Sequence, residues 1–97
     1  MITPLLLVSD KRHFNILKYL IEHAKVNINE QNQQGDTALL ISCHRGEIQA
    51  VKYLLEQPNI DMNQTNKNGD CPLLKATYWN NLEVIKYLLE EKNVDIN

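Results

Sequence analysis

The chain has 97 residues, of which 43% are hydrophobic and 23% are charged, a composition typical of one small globular domain. Its net charge of -2 provides no basic field for phosphate backbones, so we expect no nucleic-acid partner. Apolar runs such as Leu5 to Val8 are far shorter than the roughly 20 residues that span a bilayer, so we expect no membrane-spanning helix.

A repeat with a period of 34 residues organises the sequence. Tyr19, Tyr53 and Tyr87 coincide when the chain is aligned with itself at this spacing, and the lysine before each tyrosine coincides as well. Such a period is typical of stacked supersecondary units that bury their apolar sides against one another. The sequence therefore predicts a single domain over residues 1–97, made of units 1–36, 37–70 and 71–97.

Each unit opens with a short predicted helix. Thr3 and Thr37 are good N-caps, whereas Cys71 is a poor one, so we expect the third helix to depend on Pro72 at its first position. The helix should end where a residue tolerates left-handed geometry, at Gly46 in the second unit and Asn80 in the third. The first unit has Arg12 there, which predicts a strained or differently shaped turn.

The second helix of each unit carries an apolar stripe at offsets i, i+3, i+6 and i+7, with lysine and glutamate on the exposed side. The stripe comprises Phe14, Leu17, Leu20 and Ile21 in unit one, Ile48, Val51, Leu54 and Leu55 in unit two, and Leu82, Ile85, Leu88 and Leu89 in unit three. A polar segment follows each second helix, and its short two-residue alternation favours an extended arm with a tight turn.

This succession of cap, short helix, turn, longer helix and arm resembles the ankyrin repeat. The matching residues are Gly35, Thr37, Leu39, Gly46, Val51, Lys52, Leu54, Leu55, Asp61 and Asn63. The resemblance implies an all-α solenoid of helix-turn-helix units joined by β-hairpin-like arms. The tetratricopeptide repeat shares the 34-residue period and is the alternative, but its Trp-Leu-Gly-Tyr spacing is absent and the long arms are unlike it.

Two departures from the ankyrin pattern affect the expected packing. Leucine replaces the histidine of the first helix at Leu6, Leu40 and Leu74, and asparagine replaces the aspartate before the turn glycine at Asn32 and Asn66. We therefore expect more apolar packing between first helices and fewer polar links between units.

The resemblance implies a concave surface of arms and first helices that binds another protein. Aromatic and arginine side chains dominate binding energies, which makes Trp79, Tyr78 and Arg45 the candidate anchors. Packing against a neighbouring repeat is the competing interpretation for Trp79 and Tyr78. The remaining candidate contacts are polar: His44, Gln33, Gln34, Asp36, Lys67, Asn68 and Asp70.

Catalysis and cofactor binding have little support in the sequence. Cys43 and His44 are neighbours on one helix and point about 100° apart, so they do not form a nucleophile and base. Cys71 and His13 lack metal-ligand spacing with either residue, so we expect no metal, no cofactor and no enzymatic activity. Two separate cysteines favour free thiols and a cytoplasmic location, although secretion as an effector stays open.

Three functional hypotheses follow. The first is a non-catalytic scaffold for protein binding, and the second is a recruitment segment of a larger enzyme or secreted effector. The third is a mechanical spacer between other domains. The terminal units are as apolar as the internal one, so we also expect a longer array or self-association through uncapped ends.

Overall fold

A computed structural model describes residues 2–94 of the chain, and these residues contain six α-helices. They are α1 (Pro4–Asp10), α2 (Phe14–His23), α3 (Ala38–Arg45), α4 (Ile48–Leu55), α5 (Pro72–Tyr78) and α6 (Leu82–Glu90). No strand occurs within residues 2–94, so the all-α class is confirmed. The end of the third arm, residues 95–97, lies outside the described residues.

The first helices begin as predicted. The Oγ1 atom of Thr3 accepts a hydrogen bond from the Leu6 amide at 3.3 Å, and Thr37 accepts one from Leu40 at 3.2 Å. Cys71 caps α5 without a side-chain hydrogen bond, and Pro72 occupies the first turn. Proline has no amide hydrogen to leave unsatisfied there, which explains why α5 begins at this residue without a better cap.

All three first helices end in the same left-handed turn. Gly46 has φ 68° and Asn80 has φ 58°, as the sequence predicts. Arg12 also has φ 62°, so the alternative of a differently shaped first turn is wrong. The Nε atom of Arg12 lies 3.4 Å from Glu47 Oε2, an ion pair between units one and two.

The helices form two rows. In the inner row α1 packs on α3 and α3 packs on α5, while α2, α4 and α6 form the outer row. Leu6 and Leu40 are fully buried between the first helices, as predicted, whereas Leu74 at the equivalent position of α5 is 42% exposed. Each unit therefore shields the apolar side of its neighbour, as in other solenoids.

The outer helices correct the predicted stripe. Ala50 and Val84 lie outside that stripe and are buried, whereas Leu82 lies within it and is exposed. The reason is that a second helix is covered on two sides, by the preceding unit and by the following unit. Only α4 has both neighbours, so α2 and α6 each bury one side of their apolar surface.

Asparagine side chains form several polar links between the units. Asn81 Nδ2 donates to the carbonyl oxygens of Cys43 at 2.7 Å and His44 at 3.0 Å. Asn29 donates to the Asn59 carbonyl and accepts from the Asp61 amide, both at 2.8 Å. These bonds bring side-chain donors and acceptors to backbone groups at a helix end and in the arms.

Candidate partner-binding surface

The arm turns and the C-terminal ends of α1, α3 and α5 form one surface, which we call the arm–helix face. Asparagine shapes both turns. Asn32 Oδ1 accepts hydrogen bonds from the amides of Gln34 and Asp36, both at 2.9 Å. Asn66 Oδ1 does the same for Asn68 and Asp70, again at 2.9 Å. Asparagine thus retains the acceptor role that an aspartate would have in these turns.

The two arms are joined to each other. The Lys67 amide donates to the Gln34 carbonyl at 2.9 Å, and Gln31 Nε2 donates to the carbonyls of Gly35 at 2.9 Å and Thr65 at 3.2 Å. These bonds hold the turns side by side. The arm–helix face is therefore a connected backbone framework rather than two independent loops.

Asp36 and Asp70 accept hydrogen bonds within the arms. Asn66 Nδ2 donates to Asp36 Oδ1 at 2.9 Å and to Asp70 Oδ2 at 3.2 Å, and Asp70 is buried. The exposed polar side chains at the arm tips are Gln33, Gln34, Lys67 and Asn68. Gln33 and Gln34 also line a shallow pocket of about 320 Å³ with Asn32 and Ile2.

The ends of the first helices meet in pairs. Arg45 Nη2 lies 2.6 Å from Asp10 Oδ1, an ion pair between units one and two. The Trp79 ring stacks on the His44 ring with centroids 4.3 Å apart and planes 20° apart. Trp79 is still 57% exposed, and Tyr78 beside it is 69% exposed. The three predicted anchors thus lie along one edge of the arm–helix face.

Lys75 connects this edge to the arm, and the sequence interpretation missed it. Its Nζ atom lies 3.5 Å from Asp36 Oδ1, and both side chains are mostly buried. A signal was available in the sequence. Leu7 and Ile41 hold the equivalent position in the other units, so a lysine stands where both of those units have an apolar residue.

Burial lowers the pKa of His44, and the positive charges of Arg45 and Lys75 lower it further. The negative charges of Asp36 and Asp10 oppose this shift without reversing it. The imidazole is therefore neutral at physiological pH. His44, Trp79 and Tyr78 together form an uncharged aromatic ledge, flanked by charges that are already paired.

The sequence profile of a family described as "Ankyrin repeats (3 copies)" matches residues 5–97. The chain belongs to the ankyrin repeat family. The six helices, their two rows and the left-handed turns agree with this assignment. The tetratricopeptide alternative is therefore wrong.

A solved structure supports the ankyrin fold. It is a complex of a predatory endopeptidase from Bdellovibrio bacteriovorus with an immunity protein. The matching chain superposes with a TM-score of 0.83 at 22% sequence identity over 92% of the present chain. The present chain spans 46% of the length of that chain. Comparison with curated protein sequences gives no match.

Ankyrin repeats are typically non-catalytic. The side chain of Cys43 is fully buried. Burial raises the pKa of the Cys43 thiol, so the thiol stays protonated at neutral pH. Residues 2–94 contain no group of three or more side chains placed to hold a metal ion. None of the helices described is both long and apolar enough to cross a membrane.

Proposed function

We propose that this ankyrin domain is a protein-binding module whose partner contacts the arm–helix face. The aromatic ledge is the observation that carries the proposal. Trp79 and Tyr78 are large and well exposed, and they lie beside a hydrogen-bonded arm framework. The proposed anchors are Trp79, Tyr78 and Arg45, with His44, Gln33, Gln34, Asp36, Lys67, Asn68 and Asp70 as surrounding residues.

Preorganisation favours this surface over other exposed parts of the chain. Trp79 is held by its stack on His44, and Arg45 is held by Asp10. Side chains that are already ordered lose little rotamer entropy when a partner binds, so more of the contact energy contributes to affinity. Aromatic residues and arginine are also the types most enriched among binding hot spots.

Differences between the units support the same assignment. The paired helix-end positions hold Asp10 and Lys11 in unit one, His44 and Arg45 in unit two, and Tyr78 and Trp79 in unit three. Packing positions such as those of Tyr53 and Tyr87 repeat because these units pack on the preceding unit in the same way. Positions that differ between units are available to recognise a partner.

The polar residues divide into two roles under this proposal. Gln33, Gln34, Lys67 and Asn68 are exposed at the arm tips and serve as adaptable hydrogen-bonding contacts. Asp36 and Asp70 maintain the arm geometry through Asn66. Recruitment for a larger enzyme would use the same surface and stays a prediction.

Site-specific photo-crosslinking in cells that produce the protein tests the proposal. A benzophenone side chain at Tyr78 should crosslink a partner, whereas the same probe at Asn15, exposed on an outer helix, should not. Equal crosslinking from both positions, or none from Tyr78 at expression levels that give a functional protein, would rule out the assigned surface.

A matched pair of double variants then measures the contribution of the anchors to affinity. Trp79→Ala with Arg45→Ala should weaken binding of the crosslinked partner at least about 30-fold, as expected for hot spots. Asn15→Ala with Lys25→Ala should leave affinity unchanged. Both proteins should keep the helical circular dichroism spectrum of the parent, because all four side chains are exposed.

A further inference from the structure

The exposed large apolar side chains of residues 2–94 all belong to the first and third units. The second unit, every residue of which is described, has none. Two of them, Tyr78 and Trp79, belong to the arm–helix face described above. The other six are Ile2, Leu7, Ile16, Tyr19, Leu74 and Leu82.

Leu74 and Leu82 are exposed in the third unit, but in the earlier units the following unit covers the equivalent side chains. Leu74 is 42% exposed, whereas Leu40 at the equivalent position is fully buried beneath α5. Leu82 is likewise exposed, whereas its equivalents Phe14 and Ile48 are half-buried. Together with Lys86 these residues form what we call the trailing face.

Leu7, Ile16 and Tyr19 are exposed in the first unit, but in the later units the preceding unit covers the equivalent side chains. Ile16 is exposed, whereas its equivalents Ala50 and Val84 are buried. Tyr19 is 63% exposed, and its ring lies against His23 of its own helix with the two ring centroids 4.5 Å apart. Leu7, Ile16 and Tyr19 form what we call the leading face.

The internal interfaces show how these two faces fit. Lys18 Nζ lies 6.0 Å from the Tyr53 ring, and Lys52 Nζ lies 5.5 Å from the Tyr87 ring. Each lysine thus reaches the tyrosine of the next unit. To continue this series, the Lys86 ammonium at one end of the molecule would need a tyrosine ring, and the Tyr19 ring at the other end would need a lysine.

A second internal contact has the same direction. Phe14 packs edge-on against Tyr53 at 5.9 Å, and the Tyr53 hydroxyl donates to Glu22 Oε2 at 2.9 Å. At the equivalent positions the trailing face offers Leu82 and Glu90, and the leading face offers Tyr19. The two faces therefore match in apolar, cationic and hydrogen-bonding groups.

We propose that the trailing face of one copy of this chain binds the leading face of a second copy, continuing the repeat across the interface. Lys86 then lies over Tyr19 of the partner subunit, and Leu74 and Leu82 become buried. The contact is heterologous, because it joins two different faces. Its product is an open row of subunits whose length grows with concentration. This surface is separate from the arm–helix face.

Two complementary variants test the proposal. Ile16→Asp with Tyr19→Asp blocks the leading face, and Leu74→Glu with Leu82→Glu blocks the trailing face. Analytical ultracentrifugation of the parent chain should show a mass that rises with concentration. Each variant alone should stay monomeric, whereas an equimolar mixture should form a dimer and nothing larger, since each variant retains one functional face.

Two results would overturn the proposal. One is a parent chain that stays monomeric at millimolar concentration, as it would if only flanking units of a longer chain cover these faces. The other is self-association of either blocked variant alone, because that requires a face that binds itself. All four substituted positions are exposed, and circular dichroism verifies that the variants keep the parent fold.

A milder substitution tests the interface without large apolar changes. Lys86→Glu removes the cation above the Tyr19 ring and should weaken association about two- to fivefold. Lys25→Glu changes net charge equally on the exposed end of the first unit and should have no effect. Equal weakening by both variants would assign the attraction to net charge and contradict the proposed pairing.

Discussion

Trp79 stacks on His44 at the same pair of repeat positions where Arg45 forms an ion pair with Asp10. The same pair of repeat positions thus joins units one and two by an ion pair and units two and three by an aromatic stack. The ion pair is partly exposed, and pairs near the surface contribute little to stability. The aromatic stack buries ring surface and contributes about 0.5 to 1.5 kcal/mol beyond its area. The stack of Trp79 on His44 is therefore the stronger of these two links along the edge of the arm–helix face.

Removing the indole should raise the pKa of His44. Burial is the first cause of the depressed pKa, and Trp79 covers one face of the imidazole. In Trp79→Ala the NMR titration midpoint of His44 should move toward the ordinary histidine value. Tyr78→Ala is the control and should leave the midpoint in place. An unchanged midpoint in Trp79→Ala would mean that the positive neighbours alone lower the pKa.

The free energy of unfolding should decrease as the pH is lowered, because of the same histidine. The folded chain binds the His44 proton less tightly than the unfolded chain does, since its pKa is lowered on folding. Its contribution is fully present above the unfolded pKa of about 6.5 and is lost as pH falls toward the lower folded pKa. Urea unfolding of the parent and of His44→Gln between pH 7.5 and 5 measures the difference. We expect the advantage of the parent to shrink on acidification, and a constant difference would contradict the lowered pKa.

Arg12 should carry backbone strain that glycine relieves. Arg12→Gly and Arg12→Ala both remove the ion pair to Glu47, but only glycine adopts φ 62° without a Cβ penalty. We expect the glycine variant to be the more stable of the two by about 1 kcal/mol in urea unfolding. The comparison cancels the ion pair, so equal stabilities would show that the turn is unstrained.

Asn81 should be a main polar link between units two and three. Its amide donates to two carbonyl oxygens at the end of α3. The Asn81 side chain also packs closely on Gly46, since a Cβ added at Gly46 would lie only 2.7 Å from the Asn81 Oδ1 atom. Asn81→Ala leaves those carbonyls short of a donor and should lower the unfolding free energy by about 1 to 3 kcal/mol. The exposed Asn15→Ala is the control and should stay within about 0.5 kcal/mol of the parent. Similar small losses in both variants would show that water replaces the amide.

The sequence predicted the fold well because the fold is local and repeated. Caps at Thr3 and Thr37 and the left-handed turn at Gly46 depend on neighbouring residues, which a single unit contains. Exposure at the ends of the array did not follow from the pattern. Leu82 carries the same apolar signal as Ile48 but is exposed, because none of the described residues packs on that side of α6.

The candidate site was predictable by position but not by contact. The resemblance to ankyrin repeats pointed to the helix ends and arms, and these do share one face of the structure. The stack of Trp79 on His44 and the ion pair of Lys75 with Asp36 cross between units. Which side chains meet there depends on the rotation between units, which a repeat pattern does not specify.

Changing Asn66 to the aspartate that the family pattern has at this position should destabilise the chain. Aspartate keeps the Oδ1 acceptor for the turn amides, but it loses the Nδ2 hydrogen bonds to Asp36 and Asp70 and places a third carboxylate beside them. We expect a loss of about 2 to 3 kcal/mol at neutral pH, given that hydrogen bonds to charged groups are the stronger kind.

The equivalent Asn32 provides the matched control for Asn66→Asp. Its Oδ1 atom accepts the same pair of turn amides, while the position equivalent to Asp36 in the preceding unit is the apolar Ile2. Asn32→Asp therefore places a second carboxylate near Asp36 but no third one, and urea unfolding should show a clearly smaller loss for Asn32→Asp than for Asn66→Asp. The deficit of Asn66→Asp should shrink as pH falls toward 4, because crowded carboxylates have raised pKa values and protonation restores a donor. Equal stability of the two variants at neutral pH would show that Asn66 Nδ2 contributes nothing to the link between the arms.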